Sequence, residues 1–168
     1  MHTTDRIKTR SPRHTKSVRL CQKVDRMILY LTADLLWATR IKSTCEDMGV
    51  PARPVRHIDM LNARLDDSQV QGVILDLESE LWPELLNRIR GWDADNAGQT
   101  NPIAVVAFGP HVNTEAFAAA RKLGATRVLA RGAFAKQLPQ ILTKLVGGDS
   151  GDSGDGGDGG DGGSTKTL

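Results

Sequence analysis

Five short apolar runs alternate with five amphipathic stretches between residues 25 and 146. Three runs are apolar almost throughout, which is typical of strands buried on both faces of a sheet. They are MILYL (27–31), GVILD (72–76) and PIAVVAF (102–108). The other two runs, ARPVRH (52–57) and TRVLA (126–130), are weaker. The pattern predicts five strands of unequal burial.

Each run is followed by a stretch whose apolar residues recur every three or four positions, which predicts a helix packed by one face. Gly49 and Gly124 mark the ends of the first and fourth helices. The three tryptophans, Trp37, Trp82 and Trp92, lie on these helices and are predicted to pack in the core. The predicted faces are Trp37, Ile41, Cys45 and Met48; Ile58, Leu61 and Leu65; Leu81, Leu85, Ile89 and Trp92; Phe117, Ala120 and Leu123; and Phe134, Leu138, Ile141, Leu142 and Leu145.

Alternating strands and helices predict an α/β fold with a parallel sheet and right-handed crossovers. The weak strands suit the edges, because Pro54 cannot donate to a ladder and the fifth strand is half polar. The order is then 2-1-3-4-5, the flavodoxin-like, doubly wound arrangement, in which ligands bind beyond the carboxyl ends of the strands. Asp34 and Asp76 follow the adjacent first and third strands, so we expect them to face each other across one small site.

The two ends of the chain differ in composition from this middle. Residues 1–24 lack periodicity and are predicted to form a disordered basic arm; residues 1–23 hold seven Lys or Arg and one Asp. Residues 147–168 form a Gly/Asp-rich tail, predicted to be disordered, with five Asp and one Lys. The middle is therefore near neutral. That argues against a nucleic-acid-binding face, although the arm predicts weak, salt-sensitive binding to anions.

Cysteine usage and hydropathy indicate a cytoplasmic protein. Cys21 and Cys45 have no metal-type spacing, which suits a reducing compartment. The sequence shows no apolar leader and no run long enough to span a membrane. The arm, rich in Arg, Ser and Thr, also has the composition of an organelle transit peptide, and that alternative stays open.

Three segments of the middle carry a resemblance to a known family. They are FAAARKLGATRVLARGAF (117–134), VILDLE (73–78) and DLLWATRI (34–41). Residues 26–146 resemble the receiver domain of two-component response regulators, which implies a CheY-like fold. The resemblance implies that Asp76 is the candidate phospho-acceptor and that Asp34 and Asp76 are candidate ligands for Mg²⁺. Asp34 is also a preferred helix N-cap, and both roles are compatible.

Several positions depart from the receiver pattern. Ala33 stands where the first acid of a pair is found, and Ala107 where a hydroxyl follows the fourth strand. Arg131 replaces a Lys, and Val128 replaces an aromatic on the fifth strand. The hydroxyl and the aromatic, which act together as a switch in receivers, are thereby both absent from the sequence at these positions. Arg131 is predicted to contact a phosphate or to pair with Asp76 or Asp34 in place of the metal.

The kept register and the lost positions favour a degenerate, stand-alone receiver: a non-enzymatic signalling module that acts through protein–protein interaction and needs no cofactor. The resemblance implies a histidine kinase, another receiver or a second copy as partner, and the fourth helix, fifth strand and fifth helix as the contact face. One alternative is an authentic response regulator phosphorylated on Asp76 with Mg²⁺. Another is a small-molecule-binding or hydrolytic protein with a pocket lined by His111 and Arg131, although no Ser-His-Asp order, HExxH or P-loop is present.

Overall fold

The computed structural model describes residues 26–98 and 101–147. The predictions for the arm and for the tail beyond Gly147 lie outside these ranges. Within them, five strands alternate with five helices, as the apolar pattern predicts. The elements are β1 (Arg26–Leu31), α1 (Leu35–Asp47), β2 (Ala52–Pro54), α2 (Ile58–Asp67), β3 (Gln69–Asp76), α3 (Trp82–Asp95), β4 (Ala104–Gly109), α4 (Thr114–Lys122), β5 (Arg127–Ala130) and α5 (Arg131–Gly147).

All neighbouring strands pair in parallel, in the order β2-β1-β3-β4-β5, which confirms the predicted flavodoxin-like topology. The edge strand β2 is shorter than the predicted run 52–57. Its last hydrogen bond to β1 runs from the Val55 N–H to the Tyr30 carbonyl at 2.8 Å, after which the chain turns into α2. Pro54 has no N–H to extend the ladder further.

Alternate side chains of the sheet point to opposite faces, and each face packs under its own layer of helices. One cluster joins the sheet to α2, α3 and α4, and the other joins it to α1 and α5. In the second cluster, the rings of Phe108 and Phe134 stack with centroids 4.2 Å apart. Trp37 leans on both at 5.3 and 5.8 Å, which fastens α1 to β4 and α5.

The tryptophans confirm the prediction that they serve packing. Trp82 is buried in the first cluster, and the half-buried Trp92 packs against the same cluster. The prediction for Met48 is wrong, because this residue caps α1 at its C-terminus and is 37% exposed. Met48 keeps helical dihedral angles, and the chain leaves the helix at the next residue, Gly49, which has a positive φ.

Two features fix α5 on the sheet. It begins at Arg131 directly after β5, with no connecting loop, so its first side chains lie at the carboxyl edge of the sheet. Its last turn presses on β3, where a side chain on Gly72 would place a Cβ 2.7 Å from Leu145 Cδ2. Only glycine at this position lets the helix approach the strand so closely.

Arg90 ties three connections together on the α3 side. Its guanidinium donates to the Gly124 carbonyl through Nε and Nη2, at 2.9 and 2.6 Å. Nη1 donates to Asp93 Oδ2 at 2.6 Å and to the Ile103 carbonyl at 3.0 Å. Asp93 Oδ1 in turn accepts the Ile103 N–H at 2.9 Å. The network holds the start of β4 and the α4–β5 turn against α3.

Within residues 26–98 and 101–147, no helix is both long enough and apolar enough to cross a membrane.

Removal of the Arg90 network should lower stability by more than an exposed charge would. We expect Arg90→Met to lower the free energy of unfolding by about 2 kcal/mol, because two carbonyls and the Asp93 carboxylate lose charge-assisted donors. Urea denaturation measures the change. Arg121→Met, at an exposed position of α4, is the control and should cost less than about 0.5 kcal/mol. Equal losses in the two variants would contradict the role of the network.

The buried thiol of Cys45 predicts an alkaline loss of stability. Burial raises the pKa of Cys45 to about 11, and the charge of Glu46 adds to the rise. The folded state therefore holds the proton more tightly than an unfolded thiol with a pKa of about 8.5. This stabilisation is present below the unfolded pKa and is lost as pH rises through the folded value.

Unfolding of wild type and Cys45→Ala should be compared by urea denaturation across that alkaline window. Both proteins lose stability from other groups, but only the wild type loses the Cys45 contribution. The difference in unfolding free energy between them should therefore shrink as pH rises. A difference that stays constant would mean that the thiol is not buried as described.

Candidate functional site

The site is built around Asp76, the last residue of β3. Among the described residues it is the one charged side chain that is fully buried. It lies opposite Phe108 of β4, one residue beyond the pairing of Leu75 with Leu31 of β1. The apolar run that forces β3 into the core therefore carries its terminal carboxylate out of water as well.

Both oxygens of the Asp76 carboxylate are engaged. Oδ2 accepts a hydrogen bond from Thr32 Oγ1 at 3.0 Å, and Oδ1 accepts the Glu78 N–H at 3.1 Å. Arg131 Nη2 lies 3.8 Å from Oδ1. A buried carboxylate is costly without partners of this kind, so these contacts are what make its position tolerable.

Arg131 reaches Asp76 from the first turn of α5. Its Nη2 also forms a short ion pair with Glu78 Oε2, so the guanidinium joins the β3–α3 loop to the β5–α5 junction. The side chain is 29% exposed, and its Nε is buried with no hydrogen-bond partner in the described part of the chain. The sequence singled out Asp76 or Asp34 as the partner of Arg131; among the described residues, its salt bridges are to Asp76 and Glu78.

Asp34 follows Thr32 by two residues but uses its carboxylate differently from Asp76. It is the N-cap of α1, and its Oδ1 accepts the Leu36 N–H at 2.8 Å. Thr32 stands between the two aspartates: its hydroxyl donates to Asp76 and also lies 3.2 Å from the Asp34 backbone nitrogen and oxygen. Within the described residues, no hydrogen bond joins the Asp34 and Asp76 side chains.

Sequence reasoning missed Thr32 and Glu78. The signal for Thr32 was its place directly after β1, beside the strand that ends in Asp76. The signal for Glu78 was its spacing, two residues after Asp76. Neither spacing says which way a loop side chain turns, so hydroxyl and carboxylate could not be assigned to the site from the sequence.

The donor set fits a bound Mg²⁺ poorly. Mg²⁺ favours carboxylate oxygens with several retained waters. Here one oxygen of the Asp34 carboxylate caps a helix, each oxygen of the Asp76 carboxylate already accepts a hydrogen bond, and a guanidinium already brings positive charge. In the described part of the chain, no group of three or more His, Cys, Asp and Glu is arranged to hold a metal ion.

The structure also shows where three other residues noted in the sequence lie: Ala107, Val128 and His111. Ala107 on β4 is fully buried and pairs in register with the half-buried Val128 on β5, so a hydroxyl and an aromatic ring are both missing at this point of the sheet. His111 is exposed in the β4–α4 loop. A cleft of about 460 Å³ opens beside α1, and its lining includes neither His111 nor Arg131.

No family model matches the sequence, and no curated protein matches it. Solved structures do match this chain. A response regulator from Thermotoga maritima is 16% identical with a TM-score of 0.57, over 73% of this chain and 98% of that one. The receiver domain of NtrX from Brucella abortus is 21% identical with a TM-score of 0.58, over 73% and 99%. An orphan response regulator of H. pylori is 14% identical with a TM-score of 0.56, over 73% and 98%.

At these identities the likeness concerns the fold. It confirms the architecture that the segments around Asp34, Asp76 and Arg131 indicated. The chain has the receiver-like, CheY-like fold of response regulators.

Proposed function

We propose that the chain is a degenerate receiver that acts through protein–protein interaction, with little or no aspartyl phosphotransfer and no other enzymatic activity. The observation that carries the proposal is the cluster of Asp76, Thr32, Glu78 and Arg131. Phosphoryl transfer to a carboxylate needs an exposed nucleophilic oxygen, a divalent cation and donors for the transferred group. Here the oxygens are buried and already hydrogen-bonded, and a guanidinium held by Glu78 stands beside them.

The pairing of Ala107 with Val128 supports the same proposal. A methyl group cannot donate to a phosphoryl oxygen, and loss of one oriented donor costs about 10²-fold or more in rate. The isopropyl group of Val128 cannot act as an aromatic that changes position with the state of a neighbouring hydroxyl. A phosphate on Asp76 would therefore have neither the usual donor nor the usual read-out.

The partner is another signalling protein: a histidine kinase, a second receiver or a second copy of the chain, met in the cytoplasm. Charge on the surface of α4, β5 and α5 supports this face as the contact. Within these three elements the only acidic residue is Glu115. Their exposed positive charges favour a partner with an acidic surface; they are Arg121, Lys122, Arg127, Lys136 and Lys144.

A second candidate is an authentic response regulator that takes phosphate on Asp76 with Mg²⁺. The observation in its favour is the location of Asp76 at the carboxyl end of the central strand β3, next to a hydroxyl donor and a backbone amide. In that case the Arg131 side chain would have to leave Asp76 before the cation enters.

Titration with beryllofluoride and Mg²⁺, followed by amide NMR, separates the two candidates. We expect the signals of Leu77, Glu78 and Ser79 to stay in place, because the Asp76 oxygens are occupied and Arg131 repels a cation. Asp76→Asn is the control. Saturable shifts around Asp76 that disappear in this variant would establish the phospho-receiver and overturn the degenerate one.

Removal of the Arg131 side chain should lower the stability of the fold, because Asp76 would remain buried without a nearby cation. We expect Arg131→Gln to lower the free energy of unfolding by about 1 to 3 kcal/mol, since a buried carboxylate loses its nearby cation. The loss should be much smaller in an Asp76→Asn background, and a double-mutant cycle by urea denaturation measures the coupling.

Arg127→Gln is the control for that cycle. Arg127 is an exposed arginine on β5 that contacts Gln137 and lies outside the Asp76 cluster. Its substitution should cost less than about 0.5 kcal/mol. If the Arg131 and Asp76 substitutions were simply additive, the guanidinium would not stabilise the carboxylate.

A further inference from the structure

A second concave site lies beside the Asp76 cluster, between β1, α1 and the loop after β2. The cleft has a volume of about 460 Å³, within the range of sites that bind small molecules. It opens near the carboxyl end of β1, at the edge of the sheet where doubly wound folds bind ligands. Thr32 belongs to both sites: it lines the cleft, and its hydroxyl is bonded to Asp76.

The cleft exists because β2 is short and because no other described element covers one face of α1. Leu35, Ala38, Thr39 and Lys42 recur at helical spacing and line one wall. Pro54 ends β2 and lines the opposite wall. Leu35 is 78% exposed, so the rim of the cleft offers apolar surface that the fold itself leaves uncovered.

The polar groups of the cleft are mainly hydrogen-bond donors. Arg56 is exposed, and no described residue gives it a hydrogen bond or salt bridge. Lys42 contributes an ammonium group whose salt bridge, to Glu46 at 3.6 Å, is exposed on both sides. Tyr30 is otherwise buried, and its hydroxyl has no hydrogen-bond partner among the described residues.

Arg56 and Tyr30 both line the cleft. Burial raises the pKa of Tyr30 and keeps its hydroxyl protonated, while the nearby charge of Arg56 opposes the rise. One carboxylate also lines the cleft, that of Asp34, but its Oδ1 is taken by the Leu36 N–H. The lining of the cleft therefore combines two cations, one carboxylate and a hydroxyl donor with apolar side chains.

We propose that this cleft binds a small organic anion. Its carboxylate or phosphate group accepts hydrogen bonds from Arg56, Lys42 and the Tyr30 hydroxyl, and its apolar body lies on Leu35 and Pro54. The proposal does not depend on whether Asp76 takes a phosphate, because none of these five residues contacts Asp76, Glu78 or Arg131 through a hydrogen bond or salt bridge.

The experiment is an NMR titration of the full chain with phenyl phosphate and with benzoate, and with inorganic phosphate as the headgroup alone. We expect saturable shifts at the amides of Ala33, Ala38 and Val55 with at least one organic anion, and weaker binding of inorganic phosphate. Tighter binding of phenyl phosphate would identify phosphate esters as the class, and tighter binding of benzoate would identify carboxylates.

Two variants and two controls make the test specific. Arg56→Gln should weaken binding about tenfold, the size expected for one charge-assisted hydrogen bond. Tyr30→Phe should weaken it severalfold. Arg53→Gln should leave the affinity unchanged, because Arg53 is exposed on β2, just before the loop that carries Arg56, but does not line the cleft. Arg127→Gln should also leave it unchanged, because Arg127 is exposed on β5, at the opposite edge of the sheet, and does not line the cleft.

The absence of saturation below about 10 mM with either organic anion would overturn the proposal. Equal weakening in Arg53→Gln and Arg56→Gln would also overturn it, because binding would then follow surface charge and not the cleft.

Discussion

A carboxylate removed from water needs hydrogen-bond donors and a positive charge nearby. At the end of β3, the protein supplies both to Asp76 from two side chains and one backbone amide. Thr32, the Glu78 amide and Arg131 each come from a different connection at the carboxyl edge of the sheet. The burial of Asp76 therefore constrains the β1–α1 connection, the β3–α3 loop and the start of α5 together. These are the segments from which a doubly wound fold builds its ligand site.

The same constraint explains why the site differs from one that binds a metal. A metal ion would compensate the buried charge of Asp76 only if other carboxylates also reached the ion and no protein side chain already compensated that charge. In this chain Asp34 is committed to the first turn of α1, and Arg131 starts its helix without an intervening loop. The guanidinium is thereby held near Asp76, with Glu78 fixing its outer side. The positive charge beside Asp76 therefore comes from the protein's own Arg131.

The apolar pattern was sufficient for the fold because the sheet is buried on both faces. Continuous runs such as 72–76 and 102–108 have few alternatives in a chain of this length, and Pro54 located an edge. Prediction was weaker where side-chain direction decides the outcome. Asp76 was identifiable as the end of a buried strand. Thr32 and Glu78 were not, because a loop residue's rotamer follows from tertiary contacts that no periodicity encodes. The prediction for Met48 failed for a related reason: helical spacing does not show that the buried face of α1 ends at Cys45.

Helix α5 has 17 residues and is held at both ends: Arg131 lies in the Asp76 cluster, and Leu145 rests on the bare backbone of Gly72 near the opposite edge of the sheet. Between them, Pro139 removes one backbone donor from the helix interior, which weakens it against bending there. The helix is thus fixed at both ends and bends most easily at Pro139. A force on its outer surface would either bend the helix at Pro139 or be transmitted along its length, roughly 25 Å, to the Arg131 guanidinium.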